Sequence, residues 1–386
     1  MEQQTIELLF ALLRSAIGEK ATDENISSLS DEQLSRLIAI SKRHDISHLM
    51  ALGLKQNSLF PEKETEIDKN IFKAIYRYER LNFEYAKLCE ALESGEIPFV
   101  PLKGSILRRY YPEAWMRTSC DIDILVHRED LEPAIAYLSE NLKYVEKERA
   151  THDVSLYSPS GIHVELHFDL VEEGRANDAI EVLGRVWENL SLCEGKSYWH
   201  EMTDEFFYFY HIAHMAKHFE TGGCGIRPFI DLWILDNIEG IDRGKRDELL
   251  SKGDLLQFAN SARRLSKIWF GAEEHDGLSL KLQGFILHGG VYGTVENRVA
   301  LQQKKRGGRI GYILSRIFVP HAKLKRYYPI LEKYPWLMPF MQVRRWFMLM
   351  KGDVAKMAKQ EIAINSKIEK KKTSEMGCFL REIGLK

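Results

Sequence analysis

Two carboxylates stand one residue apart in the segment CDIDILV, where Asp121 and Asp123 are set among Ile122, Ile124, Leu125 and Val126. The apolar residues are strand formers and aspartate is among the poorest, so the pair needs a reason to be there. Alternation along a strand points both carboxylates to one face, where they repel unless something positive lies between them. A divalent cation is the candidate. Some forty residues later, IHVELHFDL repeats the arrangement: Ile162, Val164, Leu166 and Phe168 share one face, and His163, Glu165, His167 and Asp169 the other. Between strand-like segments, the turn Gly104–Ser105 offers backbone N–H groups and a hydroxyl to a phosphate. Two carboxylates on one strand and a third on a neighbour can hold two Mg²⁺ ions, which would activate an attacking oxygen and neutralise a leaving pyrophosphate.

The elements that must position these groups follow from periodicity. Residues 1–95 read as helices: Leu8, Leu9, Leu12, Leu13 and Ile17 form one stripe, Ser30–Gln33 (SDEQ) is a capping box, and a longer helix follows Pro61. Residues 96–175 read as a compact α/β unit. In it IPFVPLKG is a short strand ending in a turn, SILRRYY a short helix, CDIDILV a second strand, and REDLEPAIAYLSENL a helix. THDVSLY and IHVELHFDL then pair as a hairpin around SPSG. From about Glu172 the chain reads as helical again, in a domain over 176–300 and a segment over 301–386.

The order of these pieces resembles the nucleotidyltransferase fold of the DNA polymerase β superfamily. The fuller pattern is similar to a bacterial branch described as uncharacterised nucleotidyltransferases, and its matching residues are Lys103, Gly104, Tyr111, Pro112, Arg117, Asp121, Asp123, Glu165 and His167. The resemblance extends over roughly residues 30–350. One departure is the fifteen-residue gap between Ser105 and Asp121, longer than in most of the superfamily, which bears on the phosphate role of Ser105. The resemblance implies an α+β protein, with a small mixed-sheet core flanked by helical regions. It implies an enzyme that transfers a nucleoside monophosphate from an NTP to an acceptor hydroxyl with Mg²⁺ or Mn²⁺. Asp121, Asp123 and Glu165 would be the metal-holding catalytic set, with Gly104 and Ser105 on the phosphates. Lys103, Arg117 and His167 belong beside them, the two cations either neutralising triphosphate charge or pairing with the aspartates. His214, Lys217, His218, Arg227 and Asp231, from HIAHMAKHFETGGCGIRPFIDL, would line the nucleotide or acceptor pocket or form a structural network. The acceptor is open: a small molecule, a sugar, an RNA end or a protein hydroxyl.

Two other readings compete. The same fold can serve as a non-catalytic nucleotide-binding or assembly module. His211, His214 and His218, at i, i+3 and i+7 on one helix, would suit a zinc-dependent hydrolase, although no H-E-x-x-H spacing accompanies them.

Bulk composition bounds the rest. The 386 residues are 45% hydrophobic and 28% charged, as in an ordinary globular protein, with a formal charge of −2. That total hides an asymmetry: Leu301–Lys386 holds 20 lysines and arginines against 6 acids, a net of +14, so the preceding body is strongly acidic. Within this basic segment Trp336, Phe340, Trp346 and Phe347 mix with Arg344, Arg345 and Lys351. Such a mix can contact an anionic membrane surface, bind nucleic acid or pack its aromatics into a neighbouring domain. The scattered cysteines Cys89, Cys120, Cys193, Cys224 and Cys378 suggest neither a disulfide framework nor a zinc knuckle, and point to the cytoplasm. No apolar run reaches the roughly 18 residues of a membrane span.

Overall fold

The computed structural model describes residues 3–18, 29–171, 178–349 and 352–385. The expected domain boundary at 175–176 and Lys351 lie outside them. The chain forms two units, Met1–His214 with Ile226–Gln283, and Met215–Gly225 with Gly284–Lys386.

In the first unit, helices α1 (Gln3–Ala16), α2 (Asp31–Arg43), α3 (Ser47–Gln56) and α4 (Glu64–Ser94) precede strand β1 (Phe99–Pro101). The short helix α5 (Gly104–Leu107), strand β2 (Asp121–Val126) and helix α6 (Leu131–Leu142) follow. Then come strands β3 (Val145–Arg149), β4 (Asp153–Tyr157) and β5 (His163–His167). The start of α2 is fixed by the capping box: Ser30 Oγ accepts from the Gln33 N–H at 3.3 Å, and Gln33 Oε1 accepts from the Ser30 N–H at 3.0 Å.

The five strands form one mixed sheet in the order β1-β2-β5-β4-β3, with β2 and β5 parallel and every other pairing antiparallel. One face is buried under α4 and α6. Ile122, Ile124 and Val126 of β2, Val154 and Leu156 of β4, and Val164 and Leu166 of β5 pack there against Leu81, Leu88, Leu92, Leu131, Ala134 and Leu138. Each such side chain contributes about 2 kcal/mol on burial. A one-residue slip of β2 would exchange three of them for two aspartates, so the register is locked by the same alternation that exposes the carboxylates to the opposite face.

Two strand features depart from the sequence reading. VEKER forms β3, an edge strand whose five residues are all exposed. It has no apolar alternation to announce it; Arg149 holds Glu146 at 2.6 Å and also pairs with Glu132, which suits an edge that must not recruit another strand. The region after 178 is not purely helical: after α7 (Asp178–Leu183), strands β6 (Leu190–Leu192) and β7 (His200–Met202) pair antiparallel. Each is three residues long, too short for a period-2 signal. The unit continues through α8 (Asp204–Thr221, as far as His214), α9 (Arg227–Asp236), α10 (Arg243–Lys252) and α11 (Leu256–Phe270).

The second unit is helical among its described residues. Val299, Ala300, Tyr312 and Ile368 make one small core, and Val319, Leu324 and Leu331 another. Trp336, Phe340 and Phe347 are not packed into either but exposed, whereas the Trp346 indole N–H donates to the Ile317 carbonyl at 2.8 Å. No helix among the described residues is long and apolar enough to cross a membrane.

Candidate active site

The opposite face of the sheet is a grid set by strand register. Asp121, His163 and Tyr157 form one row across β2, β5 and β4; Asp123, Glu165 and Ser155 form the next; Leu125, His167 and Asp153 the third. Two overlapping clusters result, Asp121/His163/Glu165 and Asp123/Glu165/His167, each with ligand atoms all within 4.8 Å of one another. Glu165 is common to both. A third cluster, His152/Asp153/His167, adjoins them. Asp153 and Ser155 were not singled out in the sequence, although the alternation D-V-S-L-Y carries the signal once β4 is known to pair with β5.

Lys103 lies over this face. The Ser105 N–H donates to the Leu102 carbonyl at 3.2 Å, closing a tight turn over Leu102–Ser105, and the Leu102 N–H donates to the Asp123 carbonyl at 3.0 Å. Lys103 occupies the first central position of that turn at φ 46°, ψ −120°. This is the geometry of a type II′ turn, where glycine is the usual residue. Its ammonium reaches Asp123 Oδ1 at 2.7 Å and Glu165 Oε2 at 4.0 Å. His167 Nε2 lies 3.0 Å from the same Asp123 oxygen and 3.4 Å from Glu165 Oε2. The positive charge expected between the carboxylates is therefore already present in the chain.

The two aspartates consequently differ. Burial pushes the Asp121 carboxyl up, and its neighbour Asp123 adds to the push. Burial acts the same way on Asp123, but Lys103 and His167 outweigh it and hold that carboxyl well below the usual range. The reciprocal effects appear on the partners: burial opposes the charge on Lys103 and His167, yet Asp123 raises both, with Glu165 assisting. Tyr210 of α8, which nothing in the sequence marked, lies close enough to feel Lys103, Asp123 and Glu165; burial raises its hydroxyl strongly.

The donors suit a divalent cation. Carboxylate oxygens from two adjacent strands are the ligands Mg²⁺ and Mn²⁺ take, whereas the His163 and His167 nitrogens that complete the two clusters are softer donors; the Lys103 ammonium marks where cationic charge is stabilised. The Gly104–Ser105 turn is equally specific. A Cβ on Gly104 would stand 3.1 Å from Ser119 Cβ, so the close approach of that segment favours glycine. Ser105 Oγ is buried with no hydrogen-bond partner.

The other expected residues separate into groups. Arg117 Nε donates to Asp231 Oδ1 at 2.6 Å, as does the Tyr111 hydroxyl at 2.6 Å. Arg227 Nη1 donates to Asp45 Oδ2 at 2.9 Å and to the Thr118 carbonyl at 3.2 Å. Burial raises the Asp231 carboxyl, but Arg117 and His211 overcome this and keep it low. This buried network braces the segment leading into β2. Asp169 sits beyond the end of β5, accepting from the Val171 N–H at 2.9 Å and facing Arg128 at 3.5 Å. His211 Nε2 hydrogen-bonds the Pro228 carbonyl at 3.0 Å. His211, His214 and His218 form none of the metal-capable clusters found among the described residues. Lys217 and His218 fall in the second unit, where the His218 ring meets Tyr292.

A five-stranded mixed sheet with one face under two helices, and carboxylates from two parallel strands beside a glycine-serine turn on the other, defines an α+β nucleotidyltransferase core. The chain belongs to the family described as "uncharacterised nucleotidyltransferase", whose model matches residues 30–271. The match covers the sheet, α4 and the α8–α9 region and ends short of the residue 350 that the resemblance was expected to reach. Comparison with curated proteins and with solved structures gave no match.

Proposed function

We propose that the chain transfers a nucleoside monophosphate from an NTP to an acceptor hydroxyl, with Mg²⁺ or Mn²⁺, releasing pyrophosphate. The observation that supports this best is the convergence of Asp121, Asp123 and Glu165 on one sheet face beside the Leu102–Ser105 turn. In this reading the three carboxylates would hold the metal, which when bound would neutralise triphosphate charge and lower the pKa of the acceptor hydroxyl. The Ser105 hydroxyl, buried without a partner, and the Gly104 N–H would hold the β- and γ-phosphates, while the Ser105 N–H stays on the Leu102 carbonyl to keep the turn closed. Lys103 would shift its ammonium from Asp123 toward them. Glu165, partly exposed, would take the acceptor proton as the acceptor oxygen bonds to the α-phosphorus and the bond to the bridging oxygen of pyrophosphate breaks. Five free cysteines fit a cytoplasmic setting.

One observation favours a second reading. Asp123 is neutralised within the chain by Lys103 and His167, as a nucleotide-binding module without catalysis would allow. Incubating the purified chain with each labelled NTP and Mg²⁺ or Mn²⁺ separates the two. Pyrophosphate release that Glu165→Gln abolishes and Asp169→Asn spares is the expected result. Release lost in Asp169→Asn and kept in Glu165→Gln would show that the third carboxylate is Asp169, and no release with any NTP would favour the binding module.

A further inference from the structure

Helix α4 buries one side, through Ile67, Ala74, Leu81, Leu88 and Leu92, and needs nothing from the other. Yet the outer side carries three large exposed rings, Phe72 at 66%, Tyr76 at 56% and Phe83 at 67% exposure. Their spacing of four and seven residues places them on one stripe. The same stripe carries Lys69, Lys73, Arg80 and Lys87, so cations alternate with rings from one turn to the next. The acids Asp68, Glu79 and Glu90 adjoin the rings on the flank opposite the cations, and Asp68 is paired with Lys55 at 2.6 Å. Phe72 and Tyr76 are nearly parallel, with centroids 6.4 Å apart and planes at 18°. The Arg80 guanidinium lies 5.8 Å from the Tyr76 centroid, and the Lys87 ammonium 5.7 Å from that of Phe83.

Three rings this exposed on one helix face, among the described residues, are a feature to be explained. An apolar protein partner would match the rings and leave four ammonium and guanidinium groups facing it without acids. A membrane surface would match the cations but favours apolar residues segregated from charges, whereas here they interleave. Flat rings interleaved with cations match a ligand that has flat π-faces and one negative charge per unit. That is single-stranded nucleic acid, with bases stacking on the aromatics and phosphates meeting the lysines and arginines. From Lys69 to Lys87 the stripe is about 27 Å long, at roughly 1.5 Å per residue.

The stripe is also joined to the candidate site. Arg80 Nη2 donates to the Ser160 carbonyl at 2.9 Å, in the turn just before β5 and His163. From the adjacent side of α4, Arg77 hydrogen-bonds Cys120 Sγ, the residue before Asp121. The middle of α4 thus meets the ends of both strands that carry the carboxylates. We propose that the Phe72–Lys87 face of α4 binds single-stranded nucleic acid and leads its end to the β2–β5 face as the acceptor. The second half of this statement rests on the nucleotidyl-transfer reading; the first does not.

The test is fluorescence anisotropy of the full chain with labelled single-stranded RNA, single-stranded DNA and the corresponding duplex. It is run in chelator without NTP, so that catalysis plays no part. Single strands should bind, with duplex about tenfold weaker or worse. Four cations on phosphates predict a log Kd against log salt slope of about 3, at roughly 0.7 per contact. The double variant Phe72→Ala/Phe83→Ala should weaken binding about tenfold or more, taking stacking at about 1–3 kcal/mol per base, without lowering the melting temperature. Lys69→Glu/Lys73→Glu should weaken binding and flatten the salt slope. The stronger of the RNA and DNA arms names the sugar. Equal duplex binding, indifference to the aromatic substitutions, or no binding at low salt would overturn the proposal. So would a dimer in sedimentation that Phe72→Ala/Phe83→Ala dissociates, which would make the stripe a contact between copies. A chain that binds strands but releases no pyrophosphate leaves the stripe standing and removes only the transferase reading. Transfer to a small molecule with no strand bound does the reverse.

Discussion

The two aspartates of β2 should respond oppositely to the same substitution. Asp123→Asn keeps the shape of the side chain but strips the carboxylate from Lys103 and His167, which approach it at 2.7 and 3.0 Å. Removing one partner of a buried pair costs about 3–5 kcal/mol, and because Lys103 keeps 26% of its side chain exposed, water recovers part of that, leaving about 2–3 kcal/mol. For a chain of this size that is a fall in Tm of about 4–6 °C, at roughly 2 °C per kcal/mol. Asp121→Asn removes a charge that burial and Asp123 both disfavour. Screening limits the gain to about 1 kcal/mol or less, so its Tm should match or slightly exceed that of the unsubstituted chain. Differential scanning fluorimetry in chelator reads this contrast. Repeating it with Mg²⁺ and NTP reads the metal: ligand at ten times its Kd stabilises by about 1.4 kcal/mol, and both variants should lose that shift. Equal changes for the two variants in chelator, or an Asp123→Asn chain that melts at or above the unsubstituted one, would refute the assignment of Lys103 and His167 as counter-charges to Asp123.

Asp231→Asn should lose about 3 kcal/mol or more in chemical denaturation, because Arg117 is left buried with no carboxylate; unchanged stability with lost activity would instead make Asp231 part of the pocket lining. His48 is held down to about 4 by burial while its Nε2–H donates to the Met116 carbonyl at 2.7 Å. The unfolded chain therefore binds the extra proton first, and stability falls as pH drops from about 6.5 toward 4. Between pH 7 and 5 the loss should be about 2 kcal/mol, which His48→Gln would remove from a urea titration. The exposed Trp336, Phe340 and Phe347 beside Arg344 and Arg345 predict that anionic vesicles pull the protein down at low salt and release it at high salt. Failure to sediment at low salt refutes that contact.

The carboxylate face was legible in the sequence because strand periodicity is binary. D-I-D-I-L-V and H-V-E-L-H leave no choice about which residues share a side, and the glycine-serine turn is marked by its residues. What alternation could not give was the neighbour across the sheet. The hairpin of β4 with β5 is legible in the SPSG turn and is found, but the register that sets Asp153 opposite His167 and Ser155 opposite Glu165 is encoded by no single strand. The exposed edge strand β3 has one apolar residue, Val145, and so no alternation to read, and the three-residue β6 and β7 end before a period is established. Tyr210 sits in a run of buried aromatics on α8, where nothing in its type separates a site neighbour from a core residue. Lys103 was singled out, but its partner was open; the structure pairs it with Asp123 and pairs Arg117 with Asp231.

The backbone at Lys103 makes the turn and the site opponents. A side chain at φ 46°, ψ −120° costs about 1–3 kcal/mol relative to glycine. Glycine at 103 would relax the backbone and at the same time delete the ammonium, so the same replacement relieves one part of the fold and unbalances another. Lys103→Gly and Lys103→Ala therefore bracket the two contributions, since both lack the cation and only the second keeps the strain. The difference between them reads the conformational penalty alone, and the distance of Lys103→Gly from the unsubstituted chain reads the net of the two. While the ammonium rests on Asp123, the contact offsets the penalty. A ligand that drew it away would leave the turn strained and unsupported, and the loop over the carboxylates would become less stable at the moment of occupancy.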